Sequence, residues 1–267
     1  MSHPRILSRD EKEKLDKEKN LSDFQRTKLE ADAKKNWDLF YKRNADHFFK
    51  DRHWLTREFK VIRLLHEEGG GTVFEVGCGV GNTIYPLRGE FPNLFFYGCD
   101  LSPRAVDLVK GHLQYDPEKI SCFQSDITNP DPPLTQNIPP QSVDLITLIY
   151  VLSAIAPEKM SLAIQNIKQV LKPGGVVILR DYGLYDHAML RFKSGHKIQE
   201  NFYKRQDGTR AYYFTTEEMA ALFENEGFET SFNYYVEKET SNKKEGISVP
   251  RIFVQSQFRL RSQSNTS

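Results

Sequence analysis

Val73-Phe74-Glu75-Val76-Gly77-Cys78-Gly79-Val80-Gly81-Asn82 is the stretch that decides the architecture of this 267-residue chain. A short run of β-branched and aromatic residues ends in an acid and then in three alternating glycines, which reads as a buried strand turning sharply into a helix. Glycine is needed in such a turn because the backbone reaches positive φ and because a Cβ would hold a ligand away from the main chain. The spacing is E-x-G-x-G-x-G, with Glu75, Gly77, Gly79 and Gly81. It differs from the G-x-G-x-x-G of dinucleotide-binding folds.

Downstream, the chain alternates strands and helices, the pattern of an α/β sheet. Leu94 to Cys99 is a second apolar strand ending at Asp100. An acid at the carboxyl end of the second strand is where a nucleoside presents its ribose hydroxyls. Ser102 and Pro103 mark the cap and first residue of the next helix. A third strand, Ile120 to Gln124, leads to Asp126 and Ile127. Residues 128–141 are proline-rich and predict an irregular connection. Val143 to Tyr150 reads as a buried fourth strand, and Leu171-Lys172-Pro173-Gly174-Gly175 introduces a fifth that runs out through Arg180, Asp181 and Tyr182.

The glycine spacing, the two aspartates and the Leu-Lys-Pro-Gly-Gly turn resemble the class I S-adenosylmethionine-dependent methyltransferases. That resemblance implies a Rossmann-like α/β fold with a seven-stranded, mostly parallel sheet. It also implies S-adenosylmethionine as cofactor, with the glycine loop behind its methionine end, Asp126 at the adenine amino group and Ile149 over the adenine face.

The flanking segments predict further units. Residues 1–21 are dominated by Lys, Glu and Asp and predict a charged, flexible tail, as do residues 261–267. Residues 22–68 predict N-terminal helices, the first capped by Ser22 with Gln25, with Trp37 and Tyr41 four apart on one side and able to act as a lid. Arg52, His53 and Arg57 are interleaved with Phe49 and Trp54, a mixture suited to pairing phosphates and stacking bases. The main domain is expected over 69–260, interrupted at 183–214 by an insertion rich in aromatic and basic residues, Tyr185, His187 and Arg191 among them. Strands from Phe228 to Glu237 and from Val249 to Phe258, joined by a polar loop with Lys243 and Lys244, predict a terminal hairpin.

Composition narrows the function. With 37 basic and 36 acidic residues there is no global field to attract a polyanion, so RNA contact must come from local patches. Cys78, Cys99 and Cys122 are widely spaced without a zinc pattern, which predicts a reducing compartment and no structural metal. No apolar run approaches the ~20 residues of a membrane span.

The fourth strand ends Leu148-Ile149-Tyr150-Val151-Leu152-Ser153, which has neither the Asp- or Asn-Pro-Pro-aromatic sequence of exocyclic-amine methylases nor a Pro-Cys nucleophile. A ring nitrogen with its own lone pair, such as N3 of cytosine, needs neither. Catalysis then consists of in-line positioning and stabilisation of positive charge developing on the ring. Asp181, at the end of the fifth strand, is placed to hold the cytosine amino group. N3 is hidden in a base pair, so the target is an unpaired or flipped base, for which Trp54, Tyr182, Tyr185 and Phe192 offer platforms and Arg52, Arg57, Arg191 and Arg251 phosphate contacts.

Asn36 to Asn44, Phe48 to Trp54, Arg180 to Phe192, Asn201-Phe202-Tyr203 and Gln206 to Arg210 together resemble the 3-methylcytidine RNA methyltransferases over nearly the whole chain. The resemblance implies methylation of N3 of cytidine 32 in the tRNA anticodon loop, a preference for serine tRNAs, and seryl-tRNA synthetase as helper. It implies catalytic roles at Asp181, Tyr182 and Arg52. It places cofactor contacts at Trp37, Tyr41, Glu75, Gly77, Gly79, Gly81, Asp100, Asp126, Ile127 and Ile149, and RNA contacts at His53, Trp54, Arg57, Tyr185, His187, Arg191 and Arg251. The expected compartment is the cytoplasm, with the nucleus as a second. Other tRNAs or mRNA as substrate, or an RNA-binding scaffold without turnover, are the alternatives.

Overall fold

The computed structural model describes residues 5–45, 50–242 and 247–262, so Phe48, Phe49, Lys243 and Lys244 lie outside the described residues. The elements run α1 (Arg9–Asp16), α2 (Asp23–Ala31), α3 (Ala33–Asn44), α4 (Leu55–Glu58), α5 (Lys60–Glu67), β1 (Gly71–Val76), α6 (Ile84–Glu90), β2 (Leu94–Asp100), α7 (Pro103–Lys110), β3 (Ile120–Gln124) and β4 (Val143–Ile149). They continue through α8 (Pro157–Lys168), β5 (Leu171–Tyr182), α9 (His187–Leu190), β6 (Lys197–Gln199), β7 (Phe202–Lys204), β8 (Arg210–Tyr212), α10 (Thr216–Glu224), β9 (Phe228–Asn242) and β10 (Ile247–Leu260).

Seven strands form one sheet in the order β3-β2-β1-β4-β5-β10-β9. The first five are parallel, and β10 inserts antiparallel between β5 and β9. The order reverses between β1 and β4, and in an open parallel sheet that switch point opens a crevice at the carboxyl ends of the strands. Asp100 is the last residue of β2, Glu75 and Asp181 are the last but one of β1 and β5, and Asp126 lies two past β3.

Alternation along the strands sends side chains into two cores. Phe74, Val76, Leu148 and Leu179 pack with α8 and α10 on one face. Val73, Leu145, Ile149 and Ile178 pack with Leu55, Phe59, Ile62, Ile84 and Val109 of α4 to α7 on the other. Ser22 caps α2 and Thr215 caps α10, each in a reciprocal box with Gln25 or Glu218, as their spacing predicts. The helix predicted to run on from Ser22 is divided at Asp32, where ψ is 2°.

The insertion folds into a small antiparallel sheet, β6-β7-β8, over its own core of Leu184, Met189, Tyr203, Ala211 and Tyr213. The charged N-terminal segment, expected as a flexible tail, is docked on it. Ser8 and Glu11 form a capping box for α1, Leu15 packs against the insertion core, and the Tyr203 hydroxyl donates to Glu18 at 2.9 Å. Leu21 N–H donates to Lys197 O at 2.8 Å. Leu7 is buried as well, so a few apolar side chains are enough to hold a segment of otherwise solvated charge.

Candidate active site

At Gly77, Gly79 and Gly81 the φ angles are +63°, +55° and +91°, in the region that L side chains avoid. A Cβ on Gly77 would lie 2.7 Å from Val151 Cγ2, and one on Gly79 would lie 3.2 Å from the Tyr41 hydroxyl oxygen. The loop therefore brings bare backbone up to a cavity of about 450 Å³ at the switch point. Gly77, Trp37, Tyr41, Asp100, Asp126 and Ile127, named from the sequence as cofactor contacts, line it.

Asp100 is 7% exposed and accepts hydrogen bonds from Gly79 N–H at 3.0 Å and Ser102 N–H at 2.9 Å. Burial raises its carboxyl to about 6, while the hydrogen bonds from Ser102, Gly79 and Tyr41 pull the other way. Asp126 turns its chain by accepting from Thr128 N–H at 2.9 Å and from the Thr128 hydroxyl at 2.7 Å.

Helices α2 and α3 lie across the mouth. Asp38 accepts from the Ser102 hydroxyl at 2.9 Å and pairs with Arg104 at 3.6 Å, and Asn36 donates to Gly208 O at 3.0 Å. Glu30 pairs with Lys159 at 2.5 Å and with Arg210, whose other nitrogen donates to Ala154 O at 3.1 Å. One helical segment thus bridges the main domain and the insertion above the cavity, and Glu30, Lys159 and Arg210 all line that cavity although their sequence context gives no hint of it.

Four expected cofactor residues are set back from the cavity. Gly79 and Gly81 shape the loop from behind. Glu75 is 1% exposed and faces the α4 side of the sheet, where Arg52 Nη1 lies 3.0 Å from one carboxylate oxygen and 2.9 Å from the Thr83 hydroxyl. Its second oxygen has no hydrogen-bond partner among the described residues, and burial raises the group to about 7. Ile149 is also set back, which corrects the expectation that it covers an adenine ring. Strand alternation sends its side chain into the α4 to α7 core, and the apolar contacts at the cavity come instead from Val151 and Ile155 in the turn that follows. Arg52, expected to be catalytic, is engaged with Glu75 and Thr83 behind the glycine loop.

Asp181 is 1% exposed, and each of its oxygens already accepts from the backbone, Ser153 N–H at 3.0 Å and Tyr182 N–H at 2.9 Å. Burial raises it to about 6. Its neighbour Arg180 points to the opposite face, against Trp54 at 3.8 Å and Glu58 at 3.4 Å, so the two do not pair. With Arg180 on one side and Lys238 5.5 Å from its ring centre, Trp54 is half-buried and engaged rather than a free platform. His53 and Arg57 next to it are exposed.

The aromatic wall lies elsewhere. Tyr182 meets Tyr150 at 5.2 Å, Tyr213 at 5.8 Å and Phe253 at 6.2 Å, and Tyr150 lines the cavity. Tyr150 holds a positive φ of 61°, strain kept at the end of β4 by the cluster around it. Arg251 lies 5.9 Å from the Tyr182 ring centre and donates from Nε to both oxygens of fully buried Asp186 at 2.9 and 3.0 Å. Asp186 also accepts from Ile252 N–H at 2.7 Å and caps α9. Tyr185 packs in the insertion core, His187 begins α9, with its pKa lowered by burial, and Arg191 is exposed at the rim. The structure thus gathers Tyr182, Tyr185, His187 and Arg251 in one region and His53, Trp54 and Arg57 in another.

Comparisons with known proteins name the fold and the family. Residues 74–177 match a methyltransferase domain family. The chain is 58% identical over 258 residues to mouse tRNA N(3)-cytidine methyltransferase METTL6, covering 96% of this chain and 91% of the relative. The chain belongs to the tRNA N(3)-cytidine methyltransferase family. Within the family, human METTL6 is 56% identical over 257 residues, covering 95% and 90% of the two chains. The Saccharomyces cerevisiae tRNA(Thr) (cytosine(32)-N(3))-methyltransferase is 40% identical over 226 residues, covering 83% of this chain and 36% of its own. A solved S-adenosylmethionine-dependent methyltransferase from Anabaena variabilis shares the fold, with a TM-score of 0.64 at 16% identity over 85% of this chain and 95% of that one.

Among the described residues no cluster of His, Cys, Asp and Glu is placed to hold a metal ion, and no helix is long and apolar enough to cross a membrane.

Proposed function

We propose that this protein transfers a methyl group from S-adenosylmethionine to N3 of cytidine 32 in the anticodon loop of tRNA, serine tRNAs foremost, with seryl-tRNA synthetase as helper, in the cytoplasm and secondarily in the nucleus. The observation that carries the reading is the junction of two surfaces: the acid-lined cavity beside Gly77 and the Tyr150–Tyr182 wall that borders it.

The lining fits the cofactor. Asp100 keeps unused lone pairs for the ribose hydroxyls, Asp126 accepts from the adenine amino group, Ile127 and Ile155 supply apolar surface, and Trp37 with Tyr41 closes the top. S-adenosylmethionine supplies an electrophilic methyl group when bound. Tyr182 orients the base, and Asp181, which uses two of its roughly four lone-pair sites on backbone N–H groups, accepts from the base's exocyclic amine and offsets positive charge on the ring. Arg251, fixed by Asp186, holds a flanking phosphate, and His53, Arg57 and Arg191 make exposed contacts to the RNA backbone. Arg52 keeps Glu75 and the glycine loop in register.

The test is methyl transfer from labelled S-adenosylmethionine to total tRNA, with and without seryl-tRNA synthetase, followed by nucleoside analysis. Label in 3-methylcytidine of serine tRNAs supports the reading. Tight cofactor binding with no label in any tRNA would overturn it. A second reading keeps the chemistry and changes the tRNA, and the name of the yeast relative favours it. Label in threonine tRNAs without the synthetase would select it.

A further inference from the structure

Four buried or half-buried arginines lie on or around the site, and each has an acceptor: Arg52 has Glu75, Arg180 has Glu58 and Gln255, Arg210 has Glu30 and Ala154 O, and Arg251 has Asp186. Arg205 departs from that pattern. Among the described residues its guanidinium enters no hydrogen bond or ion pair, and it sits over the Tyr182 ring, 5.2 Å from the centroid. The ring and the nearby carboxylates of Asp207 and Asp181 keep the half-buried guanidinium charged, yet its five donors are idle, which points to a ligand acceptor that completes it.

The position is rigid. Arg205 opens the β7–β8 turn, where its N–H donates to Thr209 O at 2.8 Å and its carbonyl accepts from Gly208 N–H at 3.1 Å. Asp207 ties the turn internally by accepting from Thr209 N–H at 2.9 Å, and Asn36 of α3 clasps it at Gly208 O. Tyr182, under the guanidinium, follows Asp181 directly in the chain. The two charged groups feel each other electrostatically without forming an ion pair, so a donor and an acceptor stand apart at the same end of β5.

We propose that Arg205 donates to O2 of the target cytosine while Asp181 accepts from its exocyclic N4 amine, so that side chains of opposite charge read the two atoms flanking N3. This rests on the reading of the protein as a cytidine N3 methyltransferase and adds the determinant of base choice. Cytosine presents an acceptor at O2 and a donor at N4. Uracil presents an acceptor at O4 in place of the amine, which sets two acceptors against each other at Asp181. A site built to hydrogen-bond both groups rejects the base that lacks one of them.

The experiment is single-turnover methylation of a cytidine 32 anticodon stem-loop and of the same RNA carrying 2-thiocytidine, whose sulfur is a weaker acceptor. It uses the full chain and Arg205→Met, with calorimetric S-adenosylmethionine binding alongside. Methionine keeps the apolar stem against Tyr182 and removes the donors. The expected result is a tenfold to hundredfold fall in rate for Arg205→Met, the loss of one charge-assisted hydrogen bond. Cofactor affinity should stay unchanged. The unsubstituted protein should lose rate on 2-thiocytidine, and the variant should show no further loss. Equal rates for both proteins on cytidine, or equal rates for the unsubstituted protein on both bases, would overturn the assignment. Should Arg205→Met not fold, the base comparison with the unsubstituted protein decides alone. Failure of the unsubstituted protein to methylate cytidine at all removes the activity reading and this inference with it, and it is recognised before any substitution is made.

Discussion

Replacing Gly81 with alanine should destabilise the glycine loop severely, and the structure sets the scale. Gly81 has φ of +91°, which costs an L side chain about 1–3 kcal/mol. Its new Cβ would lie 2.4 Å from Tyr85 Cε2 and 2.6 Å from Tyr85 Cδ2. Tyr85 has little freedom to yield, because its hydroxyl donates to Val109 O at 2.5 Å and its ring stacks on His112 at 3.9 Å. Overpacking of that kind costs a further ~1–3 kcal/mol. The sum is about 2–6 kcal/mol, a large part of the ~5–15 kcal/mol that holds a domain together. For a domain of this size that corresponds to a fall of roughly 4–24 °C in melting temperature. Gly89 is the internal control: it lies in α6, a Cβ there meets nothing within 4 Å, and alanine is the better helix former by about 0.5–1 kcal/mol. Thermal and urea unfolding of both variants is the assay. Gly81→Ala should melt well below the parent and bind S-adenosylmethionine poorly, and Gly89→Ala slightly above it. A Gly81→Ala protein that melts within about 2 °C of the parent, less than ~1 kcal/mol for a chain of this size, would refute the steric reasoning.

Other expectations follow from neighbouring contacts. Asp38→Ala removes the tie from α3 to Ser102 and Arg104, and isothermal titration should show S-adenosylmethionine affinity weakened about fivefold, the worth of ~1 kcal/mol. Asp100 is raised to about 6, so its carboxylate is ionised above that pH and protonated below it. Cofactor affinity should be level above pH 7 and fall by up to about tenfold per pH unit below 6, whereas Asp100→Asn should bind weakly with no change across that window. Asp186→Ala leaves Arg251 and two backbone N–H groups without their acceptor. It should lower stability by about 3 kcal/mol and abolish methyl transfer, while calorimetry still detects cofactor binding in a cavity that neither Asp186 nor Arg251 lines.

Much of this molecule was legible from its residues. The parallel strands are short β-branched runs, the capping boxes at Ser22 and Thr215 are local spacings, and the loop glycines adopt the positive φ their spacing demanded. The positions of Asp100 and Asp126 followed from counting strands, because a parallel sheet delivers every strand end to the same edge. These features depend on relations within a few residues, or on an order of elements that the chain itself writes down.

Tertiary structure decided what depends on parity and on distance through the chain. Whether Ile149 faces the cavity or the core turns on one residue of alternation, and only the packed sheet fixes it. Arg52 meets Glu75 across 23 positions, Arg251 meets Asp186 across 65, and Glu30 meets Arg210 across 180. None of these charges carries a local sign of its partner, and each would read equally well as a solvated surface group. The sequence thus determined that Asp100 and Asp126 reach the crevice, by their place at strand ends. Folding determined which side chains are engaged behind it and which, like Arg205, are left with donors to offer, because desolvation acts on the burial that only the assembled chain creates.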